Sequence, residues 1–488
     1  MNQVRRASKL RLDPSISTCV GSFSYSEKQP FARFYRALFR AGCLSLLGVG
    51  LFFAAPAARA DSLTDALVRT YQANPALQAE RARLRSTDEK VPQALAGMRP
   101  SVNVLTTTQR SKLTDSLHNS SGVSDRKISL EVTQPLYRGG RIQAGVAGAH
   151  NKVLAERAQL LSTEQAALLA AATAYMDVTR DKMTLELIAN YQKALEKQVQ
   201  IERRRLIIGE NTKTDISQAE ARLAESVAER IQAEATLRAS SSDYLRVTGI
   251  EPGSLAPPKF SLELPGGLDE VVDAARANNP DILVARYTEL SARNDVEAAD
   301  GELLPAVDAV GSVYRRWSAS STEGRADGTQ IVLQMTLPID NGAISSRARA
   351  ARQTVSEMML QIENVQRTVI DKVTKSWSNM MAQRAQVKAR EAMIKSVNET
   401  LKSLRAEVNI GTRTVTDLLN AEQEALSARV GLINVKHDEV VSSFTLLQGV
   451  GRLTAQAIRL PVDYYDYEQH YERVRGKVWG VSMGGDTK

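Results

Sequence analysis

Apolar residues recur along much of this chain at alternating steps of three and four. Ile394, Val397, Leu401, Leu404 and Val408 form one run; Leu426, Val430, Ile433, His437, Val440, Phe444 and Leu447 form another, with His437 on the seam. Such steps keep one stripe of a helix apolar, and a mean near 3.5 is the coiled-coil period. Between the runs lies NIGTRTVTDLL (Asn409–Leu419). Gly411 can end a helix in the left-handed conformation other residues resist. Thr414, Thr416 and Asp417 offer side-chain oxygens to cap the next helix. The pattern predicts a helix, a tight reversal and a helix packed back along the first.

The same object occurs earlier. IIGENTKTDIS (Ile207–Ser217) sets Gly209, Thr212, Thr214 and Asp215 where the later stretch has Gly411, Thr414, Thr416 and Asp417, an offset of 202 residues. Asn74-Pro75 and Asn279-Pro280 are offset by 205, as are Pro100 and Pro305; Pro135 and Pro338 differ by 203, and Gly249 and Gly451 by 202. Landmarks in one order at nearly one spacing predict a tandem duplication.

Each repeat reads as helix, hairpin, long helix and return helix. In the first, residues 61–250, a helical pattern runs from Leu63 to Met98 and stops before Pro100. A hairpin over 101–135 follows, with a strand from Val102 to about Thr108, a polar loop, and Ile128, Leu130 and Val132 alternating with polar residues until Pro135 ends the strand. After Gly139-Gly140 come a long helix over 142–208 and a return helix over 214–248. Residues 251–267 are a Pro/Gly-rich linker. The second repeat, 268–460, has a helix to Leu303, Pro305, a hairpin over 306–338 closed by Pro338, a long helix over 343–410 and a return helix over 415–450. Pro100, Pro135, Pro305 and Pro338 are the expected helix–strand switches. A tail, 461–488, carries Tyr464, Tyr465, Tyr467 and Tyr471. Each long helix would span roughly 100 Å, matched by the two shorter helices of its repeat stacked end to end. Linker and tail would gather at the joint between them.

The class is mainly α with a small β part, and the strands constrain the assembly. Four strands per chain cannot close a membrane barrel, which needs about eight. An open sheet leaves unpaired edges that lipid does not tolerate. Hairpins that enter a membrane therefore require several copies. Trp317 and Tyr314 near a strand end are candidates for an interfacial aromatic belt or for plain sheet packing.

Composition adds an address. The chain has 488 residues and a formal net charge of +8. Residues 1–60 hold nine Lys/Arg against two Asp/Glu, which leaves a near-neutral remainder and no electrostatic footprint for nucleic acid. Arg33, Arg36 and Arg40 precede the apolar run Cys43–Ala55, and Ala58-Arg59-Ala60 closes it. That is the form of a secretory signal, with cleavage expected between Ala60 and Asp61. Both cysteines, Cys19 and Cys43, would leave with it. The histidines are scattered, so no metal cluster and no cofactor is expected. Gly139, Gly140, Gly145 and Gly148 open a helix after a strand, but Gln143 occupies the place of a dinucleotide fingerprint's second glycine. No nucleophile elbow, P-loop or zinc-binding helix motif points to an enzyme.

From Asp61 to about Pro461 the chain resembles the TolC family of bacterial outer-membrane channels. The resemblance rests on the signal, the duplicated plan, the proline landmarks and above all NIGTRTVTDLLNAE, similar to the family's periplasmic entrance turn. It implies a homotrimer: a periplasmic α-helical tunnel joined to a shared twelve-stranded barrel in outer-membrane lipid. It also implies passive export of secreted proteins or small molecules, with a periplasmic adaptor and an inner-membrane transporter, ABC-type or proton-driven, as partners. The adaptor would touch the two reversals. By position, the family's entrance aspartate falls on Asp417, with Asp215 its repeat counterpart, and the arginine of its closing links falls on Arg413. A second family acid falls on Asn420 and an aromatic gating partner on Val408, two departures from the closing network. Asp417 reads equally as a helix cap and as one member of an acidic ring. Arg413 reads as a solvated turn residue or as a gate. The alternative from another class is a periplasmic coiled-coil scaffold or adaptor without a barrel; the two matched amphipathic hairpins oppose it.

Overall fold

The computed structural model describes residues 62–114, 120–210, 212–256, 266–318, 324–339 and 342–481. The signal segment and the Ala60/Asp61 cleavage point lie outside them. The helical stretch expected from Leu63 to Met98 is three helices: α1 (Leu63–Ala73), α2 (Pro75–Asp88) and α3 (Lys90–Ala96). The apolar period runs through the first break unchanged, but Pro75 drives Asn74 to extended geometry, φ −63° and ψ 122°. The Asn74 carboxamide oxygen then accepts from the N–H groups of Ala76 and Leu77 at 3.0 and 3.4 Å. The stretch from Leu268 to Leu303 divides likewise into α6 (Leu268–Asn278), α7 (Pro280–Asp300) and a 3-10 turn.

Two helices of 67 residues, α4 (Arg141–Ile207) and α8 (Ala343–Asn409), form the long columns, each about 100 Å. Neither contains proline. Their return helices are α5 (Lys213–Thr248) and α9 (Val415–Val450), 36 residues each. The joints are held by single side chains: Asn74 Nδ2 donates to the Val247 carbonyl at 3.1 Å, and Asn279 Nδ2 to the Gly449 carbonyl at 2.8 Å. Around the first joint Leu67, Tyr71, Tyr175, Tyr244, Phe444 and Leu453 form one buried cluster. Tyr175 Oη also bonds the Ala256 carbonyl, and the N–H of Tyr465 donates to Tyr71 Oη at 2.9 Å, so both the linker and the tail are tied in there. Arg81 lies over the rings of Tyr71 and Tyr465. A short helix, α10 (Tyr467–Val474), carries the tail along α2, where His470 meets Asp88 at 2.9 Å.

His437 is buried at 8% exposure between α4 and α9. Its Nε2 lies 2.9 Å from Asp177 and its Nδ1 2.9 Å from Asp438. Burial pulls the imidazole down, but the hydrogen bonds to the two carboxylates outweigh it and raise His437 above its ordinary value.

Strands β1 (Ser101–Thr114), β2 (Ser120–Arg138), β3 (Ala306–Ser318) and β4 (Arg325–Thr336) form one antiparallel sheet in the order β1-β2-β3-β4. Pro135 does not end β2. The strand continues to Arg138 with a register irregularity between Pro135 and Tyr137, and β1 pairs no further down than Thr133. A bulge beyond the neighbour's last partner is where a missing N–H is tolerated. Pro338 lies two residues past the end of β4, and Pro305 directly precedes β3. The register separates two faces. Val102, Val132 and Ile331 share one row with Gly311, and Val104, Leu130 and Val313 the next; these apolar side chains are solvent-exposed, Ile331 by 90%. Asn103, Glu131, Ser312 and Gln330 share a row of the other face. Trp317 belongs to the apolar face. Tyr314 does not: its ring packs over Gly328 and under Lys127 Nζ on the polar face.

Candidate channel entrance

Each reversal is built by the same local rules. Gly209 and Gly411 both take φ +80°. The N–H groups three residues past each helix turn back to it: Glu210 to the Arg205 carbonyl at 2.9 Å, Thr412 to the Glu407 carbonyl at 3.0 Å. This satisfies carbonyls the helix end would leave orphaned. Thr212 and Thr414 then start α5 and α9. Thr212 Oγ1 accepts from the Asp215 N–H at 3.3 Å while Asp215 Oδ2 accepts from the Thr212 N–H at 3.0 Å. Thr414 and Asp417 do the same at 3.2 and 3.2 Å. These are reciprocal capping boxes. Hydrogen bonds from the Thr414 hydroxyl and N–H, with the Arg413 charge adding, hold the Asp417 carboxyl below its ordinary value; Thr212 does so for Asp215.

Arg413 is paired inside its own reversal, Nε to Glu407 Oε2 at 3.2 Å. Arg203–Glu220 at 2.6 Å and Arg405–Glu422 at 2.9 Å tie each long helix to its return helix at equivalent positions. The two reversals are themselves joined. Thr416 bonds Gln218, and Arg222 Nη2 donates to Asn420 Oδ1 at 3.1 Å. Asn420 is therefore engaged, though not as an acid, and Val408 is buried in the seam rather than presented. Thr214 is exposed. Gln218, Arg222 and Glu407 were not legible from sequence; Arg222 and Asn420 are 198 residues apart, and no motif announces their pairing.

Above the reversals a cavity of about 760 Å³ opens between α4, α5, α8 and α9, lined by Ile188, Glu229, Ala233, Arg390, Leu426 and Asn434 among others. Nearby, burial, with the Glu422 carboxylate adding, pushes the Tyr191 phenol up to about 12. At the tips Ile207, Ile208 and Ile410 are exposed by 84, 67 and 76%.

Helical columns of this length, closed at one end by capped reversals and continued at the other by a sheet with one apolar face, belong to the outer-membrane export channels. The chain is a member of the outer membrane efflux protein family, whose model matches residues 66–249 and 271–452. It is 30% identical over 434 residues to the outer membrane efflux protein BepC of Brucella suis, covering 88% of this chain and 94% of BepC. Outer membrane protein TolC of Escherichia coli is 23% identical, over 84% of this chain and 86% of that one. The CmeC outer membrane channel of Campylobacter jejuni superposes with a TM-score of 0.73 at 14% identity, over 85% of this chain and 89% of that one. The resemblance read from NIGTRTVTDLLNAE is borne out. The protein is an outer-membrane efflux channel with its helical part in the periplasm.

Proposed function

We propose that three copies of this chain share one twelve-stranded barrel and one helical tunnel, and passively conduct cargo delivered by an inner-membrane transporter through a periplasmic adaptor. The observation that carries the reading is an open sheet, apolar on one face, with the outer edges of β1 and β4 unpaired among the described residues. The β4 edge of one copy and the β1 edge of the next run antiparallel in such a ring, which removes every edge. From Val307 to Trp317 the strand is ~33 Å long, and at a tilt of about 40° it rises ~25 Å, the height of a barrel's apolar band. Tyr137, in register with Val307, and Trp317 would then stand at the two interfaces.

The same reading gives residues 1–60 the role of a cleaved signal, and makes residues 61–250 and 268–460 duplicated halves around an equatorial linker. At the periplasmic mouth, Asp417 of three copies would form the cation-favouring ring, with Asp215 as a cap. Arg413 would restrain the mouth through Glu407. The exposed isoleucines at the tips and the threonines of the two turns would meet the adaptor. The test is direct: mature protein extracted from outer membranes should run as a heat-modifiable trimer and pass current in planar bilayers. A detergent-stable monomer without β signal or conductance would overturn the reading.

A further inference from the structure

The apolar face of the sheet does not end in uncharged residues. At its end remote from the helices, the row Thr106–Ile128–Arg315–Asp327 is followed by Thr108–Arg126–Trp317–Arg325. Both rows lie on the face that carries Val104, Leu130 and Ile331, because register steps of two return to the same side. Arg126, Arg315 and Arg325 thus stand on three adjacent strands, about 5 to 10 Å apart by strand spacing and rise, and all are exposed. Among the described residues, their counter-charge on this face is Asp327. It accepts from Arg315 Nε at 2.7 Å and Nη2 at 3.1 Å, and from Arg325 Nη2 at 3.1 Å. Three guanidinium groups against one carboxylate leave two positive charges. Asp327 fixes the orientation of two of them while most of their N–H donors stay free of it. Among the described residues, Arg126 has no ion-pair partner.

We propose that this arginine triad binds the phosphate groups of anionic lipid in the outer leaflet. The proposal rests on the barrel reading above, which turns this face to lipid and sets Trp317 at the outer interface. Guanidinium forks match phosphate oxygens bidentately, and a charge at the hydrocarbon boundary costs little when it meets a headgroup rather than acyl chains. The position explains why arginines share a face with exposed valine, leucine and isoleucine. On the polar face at the same height, Lys127 is instead occupied over the Tyr314 ring.

The test uses delipidated, detergent-solubilised assemblies of the mature chain and three probes: a bisphosphorylated disaccharide lipid, its dephosphorylated form and inorganic phosphate. Binding is read by native mass spectrometry and by the shift of the assembly's melting midpoint. The wild type should retain the phosphorylated lipid roughly tenfold more tightly than Arg126→Gln/Arg325→Gln, with Lys127→Gln behaving as wild type and the dephosphorylated lipid weak on all three. Equal retention by wild type and double variant would overturn the proposal, as would equal binding of the dephosphorylated lipid. Displacement by millimolar inorganic phosphate would make the triad a free-anion site and overturn it too. If the double variant does not assemble, Arg126→Gln alone decides, since it breaks no ion pair among the described residues. Failure of the barrel reading is separable: wild type would then show no heat-modifiable oligomer and no conductance, whereas failure of the lipid proposal leaves both intact.

Discussion

Asn279 and Gly449 hold the second half's jointed column together with one carboxamide. The Asn279 side chain caps α7 by accepting from the Asp281 N–H at 2.9 Å, and its Nδ2 donates to the Gly449 carbonyl of α9 at 2.8 Å in a buried setting. The same group thus serves an orphan donor of one helix and an orphan acceptor of another. Asn279→Ala removes both bonds and is expected to cost about 2 to 3 kcal/mol, a cap plus a buried hydrogen bond. Asn279→Asp keeps the cap but loses the donor and faces a carbonyl, so it should not restore stability. Thermal unfolding followed by circular dichroism checks the order wild type, then both variants well below it. An unchanged midpoint for Asn279→Ala would mean the joint is held by packing alone.

Gly139 approaches Gly301 where the two halves meet beside the sheet. Gly139 has φ +62°, and a Cβ on it would collide with the Gly301 carbonyl oxygen; a Cβ on Gly301 would collide with the Gly139 carbonyl in turn. Backbone cannot yield as a flexible side chain does. Gly139→Ala combines left-handed strain of ~1 kcal/mol with a steric clash of a further ~1 to 3 kcal/mol. Reduced assembly into outer-membrane oligomers is the expected outcome. Gly140→Ala, at φ +77° with open space around its Cβ, should show the strain alone and assemble better.

These two sites mark what the sequence made legible and what it did not. Long helices without proline, with an apolar seam at steps of three and four, can be read because every turn repeats the signal. The reversals can be read because Gly411 and Thr414 each have one local reason to be there. Asn74-Pro75 was visible as a landmark but not as a break, since proline at the first helical position leaves the apolar period undisturbed. β1 and β2 were read short because Gln109, Arg110 and Ser124 look like loop residues, yet paired backbones need no apolar side chain where water is present. Pro135 misled for the opposite reason: its rule holds for central ladders, and it sits at a bulge. The Arg222–Asn420 link depends on how α5 lies beside α9, which no short stretch encodes.

At the mouth, Asp417 and Arg413 make separable predictions. Asp417→Ala removes the charge and the capping box together, whereas Asp417→Asn removes the charge and keeps an acceptor. Cation preference in planar bilayers should fall about twofold or more in both if a ring of these carboxylates sets it, and Asp215→Ala should change it less. Because the folded-state carboxyl is held below its ordinary value, the cap's contribution is present above about pH 4 and is lost as pH falls through the lowered value. Unchanged selectivity in both Asp417 variants would leave it as a cap only.

Arg413→Ser should raise conductance by releasing the reversal, and Glu407→Gln should do the same, because the two form one ion pair at 3.2 Å. An exposed pair is worth little to stability, so melting should move by less than about 1 kcal/mol in either variant. A rise with Arg413→Ser but none with Glu407→Gln would show that Arg413 acts on a neighbouring copy instead.

His437 gives the pH dependence of the tunnel. Both ring nitrogens face carboxylates, Asp177 on α4 and Asp438 on α9, while Arg180 bridges Asp177 and Asp181 at 2.9 and 2.7 Å. Arg384 of α8 reaches Glu439 at 3.6 Å, two residues on and on another side of α9, so the charges that face the imidazole are those of Asp177, Asp438 and Arg180. Its value is raised on folding, with burial opposing and the two carboxylates prevailing. The stabilisation is therefore fully present below the unfolded value of about 6.5 and lost as pH rises through the raised folded value. The melting midpoint of wild type should fall across that window and that of His437→Asn should stay flat, meeting wild type at the alkaline end. His437→Ala should be lower at every pH, because it leaves two carboxylates facing a void. A wild-type midpoint constant from pH 6 to 9 would mean that His437 binds its proton alike in the folded and unfolded chain, and that the two carboxylates do not hold its charge.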